Sequence, residues 1–169
     1  MADTCHFLFN LEDKSLLKFH AMSLTQSQPL APDLSIQKFL ESQSVFTLAT
    51  SINNTPYCAS CFYAYIADLQ LLVFKSDEDT KHIEDALQNP IVAGTVLADK
   101  LDKTKIKGVQ FTGLFKLPDS SIKNKAENAY LLKYPVSALY RGTIWLIELS
   151  KIKFTDNTLI FGKKIMWER

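Results

Sequence analysis

The stretch Ile106-Lys107-Gly108-Val109-Gln110-Phe111-Thr112-Gly113-Leu114-Phe115-Lys116-Leu117 alternates with a period of two. Val109, Phe111, Gly113, Phe115 and Leu117 share one face, and Gln110, Thr112, Leu114 and Lys116 take the other. A strand of this kind buries one side and leaves the other free, as antiparallel sheets do.

Working outward, Ile91–Leu97 reads as the preceding strand, separated from it by Asp99–Lys107, where lysines and aspartates mark an exposed turn. Further upstream, Val45–Thr50, Tyr57–Ile66 and Leu69–Phe74 form a meander whose first turn is Asn53-Asn54 with Pro56. Downstream, Thr143–Leu149 is a strand. The pair Ile152–Thr155 and Thr158–Phe161 flanks Asp156-Asn157, a dipeptide suited to a tight hairpin.

Three helices interrupt these strands. Ile36, Phe39 and Leu40 recur at helical spacing behind Asp33 and Ser35, both acceptable N-caps. Ser76 or Asp77 can cap a helix with Ile83 and Leu87 one turn apart, stopped by Asn89-Pro90. Asp119-Ser120 opens a third, running to about Tyr134 and closed by Pro135. Many strands with few helices predict a mainly β fold, a small antiparallel barrel.

The chain has 169 residues, enough for one ordinary domain with a core. Residues 34–169 are expected to form it. Residues 1–33 are read as an N-terminal appendage of unknown role, ending in the proline-containing Ser27–Pro32. Hydrophobic residues at 47% and charged residues at 22% fit a globular chain. The formal charge of +1 creates no strong field toward nucleic acid or anionic lipid, so neither is expected as a partner. Three cysteines, no signal-peptide pattern and no apolar run of transmembrane length predict a cytoplasmic protein.

Cys58-Ala59-Ser60-Cys61 has the spacing of a metal or redox pair. On a strand, however, positions i and i+3 face opposite sides, and buried small residues are the expected outcome, with no metal. Lys75 to His82 joins a strand end to a helix start and collects hydroxyls, cations and backbone donors. Phosphate binding and simple capping both fit it, with Asp77, Glu78 and Asp79 weighing against an anion unless they face solvent. Lys163-Lys164 beside Trp167 reads first as a solvated edge anchored by one aromatic. The three histidines, His6, His20 and His82, supply little for a hydrolytic triad, and five glycines form neither a P-loop nor a dinucleotide fingerprint.

Val45–Thr50, the turn with Pro56, Asn89-Pro90 and Val92–Val96 resemble the pyridoxamine 5'-phosphate oxidase-like FMN-binding split barrels. Gly108–Gly113 and the tail Ile152–Lys164 are similar to the small YhbP-like bacterial family within that superfamily. The resemblance covers about Leu34–Arg169 and implies a Greek-key-like split barrel, a homodimer and FMN at the subunit interface. It implies Ser76 as the phosphate-binding hydroxyl, Lys81 and His82 as basic partners beside Lys75, Ser60 and Phe62 along the flavin edge, and Gln110 near the ring. Ala59 stands where flavin-binding oxidases often carry arginine.

The function expected on this basis is FMN binding by a flavin-dependent oxidoreductase of unknown substrate. The alternatives are a non-catalytic flavin or haem binding or sensing module and a structural dimer with no cofactor. Phe62, Tyr63, Phe111, Phe115 and Trp145 are the aromatics expected to supply apolar surface for the homodimer.

Overall fold

Asn53 and Asn54 both have positive φ, 50° and 63°, the backbone of a two-residue turn whose twist matches the strands it joins. They connect β1 (Val45–Ile52) to β2 (Thr55–Ile66), with Ile52 opposite Thr55 and Val45 opposite Phe62. The computed structural model describes residues 30–158 and 163–169. Within them β3 (Leu71–Ser76), β4 (Ile91–Leu97), β5 (Lys107–Lys116), β6 (Thr143–Asp156) and β7 (Lys163–Glu168) complete an antiparallel sheet. Its order is β3-β2-β1-β4-β5-β6-β7, and β3 also pairs with the first half of β6. That second pairing closes six strands into a barrel. Among the described residues β7 pairs only with the far half of β6, from Lys151 to Asp156.

The alternation of β5 is realised. Val109, Phe111 and Phe115 are buried while Gln110, Thr112 and Leu114 are exposed. Inside the barrel, Phe46 meets Tyr63 and Phe74 edge to face, and Phe115 stacks on Trp145 with centroids 5.0 Å apart. Phe111 claims the space over β4 that a side chain would fill: a Cβ at Gly94 would lie 2.3 Å from its ring and 2.4 Å from the Thr47 carbonyl oxygen.

This packing corrects one expectation. Of the five aromatics assigned to apolar surface, Tyr63, Phe111, Phe115 and Trp145 are core residues, and only Phe62 is exposed. Period-two alternation puts Phe62 and Tyr63 on opposite faces.

Helix α1 (Leu34–Ser42) buries Ile36, Phe39 and Leu40, and the Asp33 carboxylate caps it by accepting from the Ser35 amide at 2.8 Å. Helix α2 (Lys81–Gln88) inserts Ile83 and Ala86 into the same core. Helix α3 (Lys123–Lys133) covers a second cluster, where Ala126 and Tyr130 meet Ala64, Val73 and Leu146. At its end Lys133 donates to the Gln43 and Glu41 carbonyls at the end of α1, and the Tyr134 hydroxyl donates to the Ser44 and Tyr63 carbonyls. Cations suit the negative end of a helix dipole, so α3 locks the α1–β1 joint.

Four boundaries differ from those predicted. Thr143–Asp156 is one continuous strand, because a bulge absorbs Ser150: Thr112 pairs with Lys151 and Gly113 with Leu149, and the Ser150 hydroxyl donates to the Thr112 carbonyl. Its hairpin partner is Lys163–Glu168, whereas Thr158 bonds back to Asp156; Leu159–Phe161 lie outside the described residues. Helix α3 starts at Lys123, because the Asp119 carboxylate caps a turn ahead of it through the Ser121 and Ile122 amides, and Pro135 opens a short 3-10 turn (Pro135–Leu139). Helix α2 starts at Lys81 after a turn in which the Thr80 amide donates to the Asp77 carbonyl. Of the appendage assigned to 1–33, residues 1–29 lie outside the described residues.

Candidate anion site at the start of α2

Ser76 is the last residue of β3 and Lys81 the first of α2, so the intervening turn folds Thr80 back over the strand end. The Ser76 hydroxyl lies 2.9 Å from His82 Nε2 and 3.2 Å from Thr80 Oγ1, which is itself 3.4 Å from the same imidazole nitrogen. Thr80 Oγ1 donates to the Asp77 carbonyl and does not cap the helix. The first amides of α2 therefore keep no side-chain acceptor, at the end where the helix dipole favours negative charge. Burial pushes the His82 imidazole below the usual histidine range, with the Asp85 charge opposing it. Asp77, Glu78 and Asp79 are exposed.

The other expected residues separate into two groups. Lys75 points to the opposite side of β3 from Ser76, donating to the Ser137 carbonyl at 3.0 Å and the Tyr140 carbonyl at 2.6 Å. There it lines a cleft of about 480 Å³ with Lys123, Glu127 and Tyr130. Lys81 forms an ion pair with Asp85 one turn along its own helix, and its ammonium lies 5.8 Å from the centre of the Tyr57 ring on β2. Ser60 and Phe62 are exposed on the outer face of β2, and Phe62 meets Tyr134 edge to face at 5.5 Å. Gln110 shares that outer face through the row Ser60, Thr47, Thr95, Gln110. Three strand spacings put it about 14 Å from Ser60.

β2 contributes more than side chains. Only Tyr63–Ile66 pair with β3, so among the described residues Thr55–Phe62 has β1 on one edge and no strand on the other. On that stretch the Tyr57 ring lies 5.8 Å from the Lys81 ammonium at the start of α2. An unpaired strand edge offers backbone donors and acceptors to a planar ligand.

Sequence reasoning missed Thr80, Thr50 and Asp85. Thr80 is legible as a threonine directly before the first basic residue of a helix. Thr50 and Asp85 meet at a separation of 35 residues, and only the fold brings them together. Cys58 is exposed and Cys61 buried, both free, and burial pushes the Cys61 thiol up to about 11. A thiol raised in this way is not an activated nucleophile. Among the described residues no three His, Cys, Asp or Glu side chains cluster as metal ligands, and no helix is long and apolar enough to cross a membrane.

Comparison with known proteins places the architecture. A haem-binding protein from Mycobacterium smegmatis superposes with a TM-score of 0.68 at 15% identity, covering 82% of this chain, which spans 59% of that protein. An FAD-binding protein from Mesorhizobium loti gives 0.60 at 23% identity, over 74% and 94% of the two chains. A candidate pyridoxamine 5'-phosphate oxidase from Listeria innocua gives 0.55 at 18% identity, over 71% and 94%. The fold is that of the pyridoxamine 5'-phosphate oxidase-like split barrels. No protein-family model matches the chain. A UPF0306 protein of Photorhabdus laumondii is 39% identical over 134 residues, 79% of this chain and 94% of that protein, and one of Yersinia pestis is 37% identical over 136. Identity at that level along nearly the whole relative makes this chain a member of the UPF0306 family.

Proposed function

We propose that the chain binds FMN, with the phosphate on Ser76, Thr80, His82 and the first amides of α2, and that it acts as a flavin-dependent oxidoreductase of the YhbP-like branch. The observation that carries this reading is the uncapped start of α2 facing two hydroxyls and an imidazole. The donor set fits a phosphate: the hydroxyls rotate to donate, and His82 donates once protonated. The open edge of β2 from Thr55 to Phe62 suits the rim of a flavin ring. FMN, when bound, supplies hydride transfer, and the protein's part is to hold and orient it and to exclude water.

The same reading makes the protein a homodimer. The outer sheet face carries Ser60, Thr47, Thr95 and Gln110 in one row and leaves Ile91, Leu97, Leu114 and Met166 exposed. Small and apolar residues on a sheet face are what a second copy covers. FMN titration followed by flavin fluorescence tests the proposal: saturable quenching, stronger for FMN than for riboflavin, is expected. Absence of binding refutes it.

Haem is the second reading, favoured by the superposition on the Mycobacterium smegmatis haem-binding protein. A Soret band on haem addition, without FMN quenching, selects it.

A further inference from the structure

We propose that Asp85 sets the charge of the anion site by holding Lys81 away from it, so that a phosphate is received on Ser76, Thr80 and His82 without the Lys81 charge. This rests on the phosphate-site reading above and adds a specificity-determining residue to it.

Asp85 is 2% exposed, on the buried side of α2. Its Oδ2 accepts from the hydroxyl of Thr50, also 2% exposed, at 3.2 Å, and its Oδ1 accepts from the Lys81 ammonium. Among the described residues these are its two side-chain partners. A carboxylate removed from water needs a cation, and taking that cation away leaves an uncompensated buried charge. Lys81 is therefore not free to move to a ligand. The (i, i+4) geometry carries its ammonium one turn down the helix, away from the first amides, and the Tyr57 ring flanks it there.

Lys81 and Asp85 together carry no net charge. The groups left facing a phosphate are two hydroxyls, an imidazole held below its ordinary range by burial, and backbone amides, with Asp77, Glu78 and Asp79 exposed on the turn before them. Such a site binds a phosphate group loosely, and its ligand exchanges. Removing the Asp85 charge while keeping its shape releases Lys81 and converts the same helix start into a stronger anion site.

The experiment measures the ratio of FMN to riboflavin affinity, which isolates the phosphate contribution, at about pH 8, where an ordinary or depressed histidine is neutral. Asp85→Asn retains a hydrogen bond to Thr50 and is expected to raise the ratio about tenfold. Lys81→Met/Asp85→Asn is expected to return it to the wild-type value, because the gain comes from the freed ammonium. An unchanged or lower ratio in Asp85→Asn, or a double variant as tight as the single one, overturns the proposal. The wild-type ratio is a measurement independent of any variant: it is expected to change little between about 50 and 300 mM salt, and a steep fall means that Lys81 already binds the phosphate. Equal affinities for FMN and riboflavin in all three proteins overturn the phosphate site itself, and the inference with it. A wild-type preference for FMN without the Asp85→Asn gain overturns the inference alone.

Discussion

Replacing Lys81 with alanine removes the cation from a carboxylate whose side chain is only 3% exposed, so the first consequence is a loss of stability rather than of ligand affinity. A hydrogen bond to a charged group contributes roughly 1.5–3 kcal/mol. Because the Lys81 side chain is 56% exposed, solvent screening lowers the expected loss to about 1–2 kcal/mol. For a domain of this size that is a drop of about 3–8 °C in Tm. Asp85→Asn in the same chain removes the orphaned charge and leaves the Thr50 contact in place, so the double variant Lys81→Ala/Asp85→Asn is expected to recover most of the loss. Thermal melts of wild type, single and double variants by circular dichroism decide this. An unchanged Tm in Lys81→Ala, or a double variant no more stable than the single one, refutes the assignment of Lys81 as the counter-charge of Asp85.

Three further outcomes follow from the same geometry. Burial lowers the proton affinity of His82 in the folded chain, so between the unfolded value of about 6.5 and the lower folded one the unfolded state binds more protons; stability is lost as pH falls through that window, and His82→Gln is expected to flatten this decline in melts recorded across it. Lys75→Ala is expected to lower stability by about 1–2 kcal/mol through the lost Ser137 and Tyr140 carbonyl contacts, with FMN affinity unchanged; a loss of affinity means Lys75 reaches the phosphate after all. Light scattering is expected to give twice the 19.2 kDa chain mass, and Thr95→Arg, in the middle of the exposed outer row, is expected to halve it; a concentration-independent 19.2 kDa particle in the wild type refutes the dimer.

The strands were legible because alternation is a local signal with a direct physical cause. Val109, Phe111 and Phe115 go inward because the residues between them can face water, and Asn53-Asn54 turns the chain because asparagine tolerates positive φ at low cost. Helix starts were less legible. Ser76, Asp77 and Thr80 all have capping chemistry, and the choice fell to the turn in which Thr80 bonds to the Asp77 carbonyl, leaving α2 without a side-chain cap. The continuity of β6 was hidden because a bulge shifts the inward pattern by one residue at Ser150.

The candidate site divides along the same line. Ser76, Lys81 and His82 lie within seven residues, so a strand-to-helix junction suggested them together. Lys75 was taken with them as a neighbour in sequence, although strand alternation sends adjacent side chains to opposite faces. The pairing of Lys81 with Asp85 was available from their (i, i+4) spacing, but its weight was not: burial and the Thr50 hydroxyl decide it, and both depend on how α2 packs against β1.

The most direct measurement of the central claim is FMN and riboflavin titration of the wild type beside the variant Ser76→Ala/His82→Gln at a pH well below the ordinary histidine value of about 6.5, so that His82 can carry a proton and donate to an anion despite its lowered proton affinity. The account predicts that wild type binds FMN about tenfold or more tightly than riboflavin, and that the variant binds the two equally with its riboflavin affinity unchanged. A preference for FMN that survives in the variant would contradict it and move the phosphate away from the start of α2.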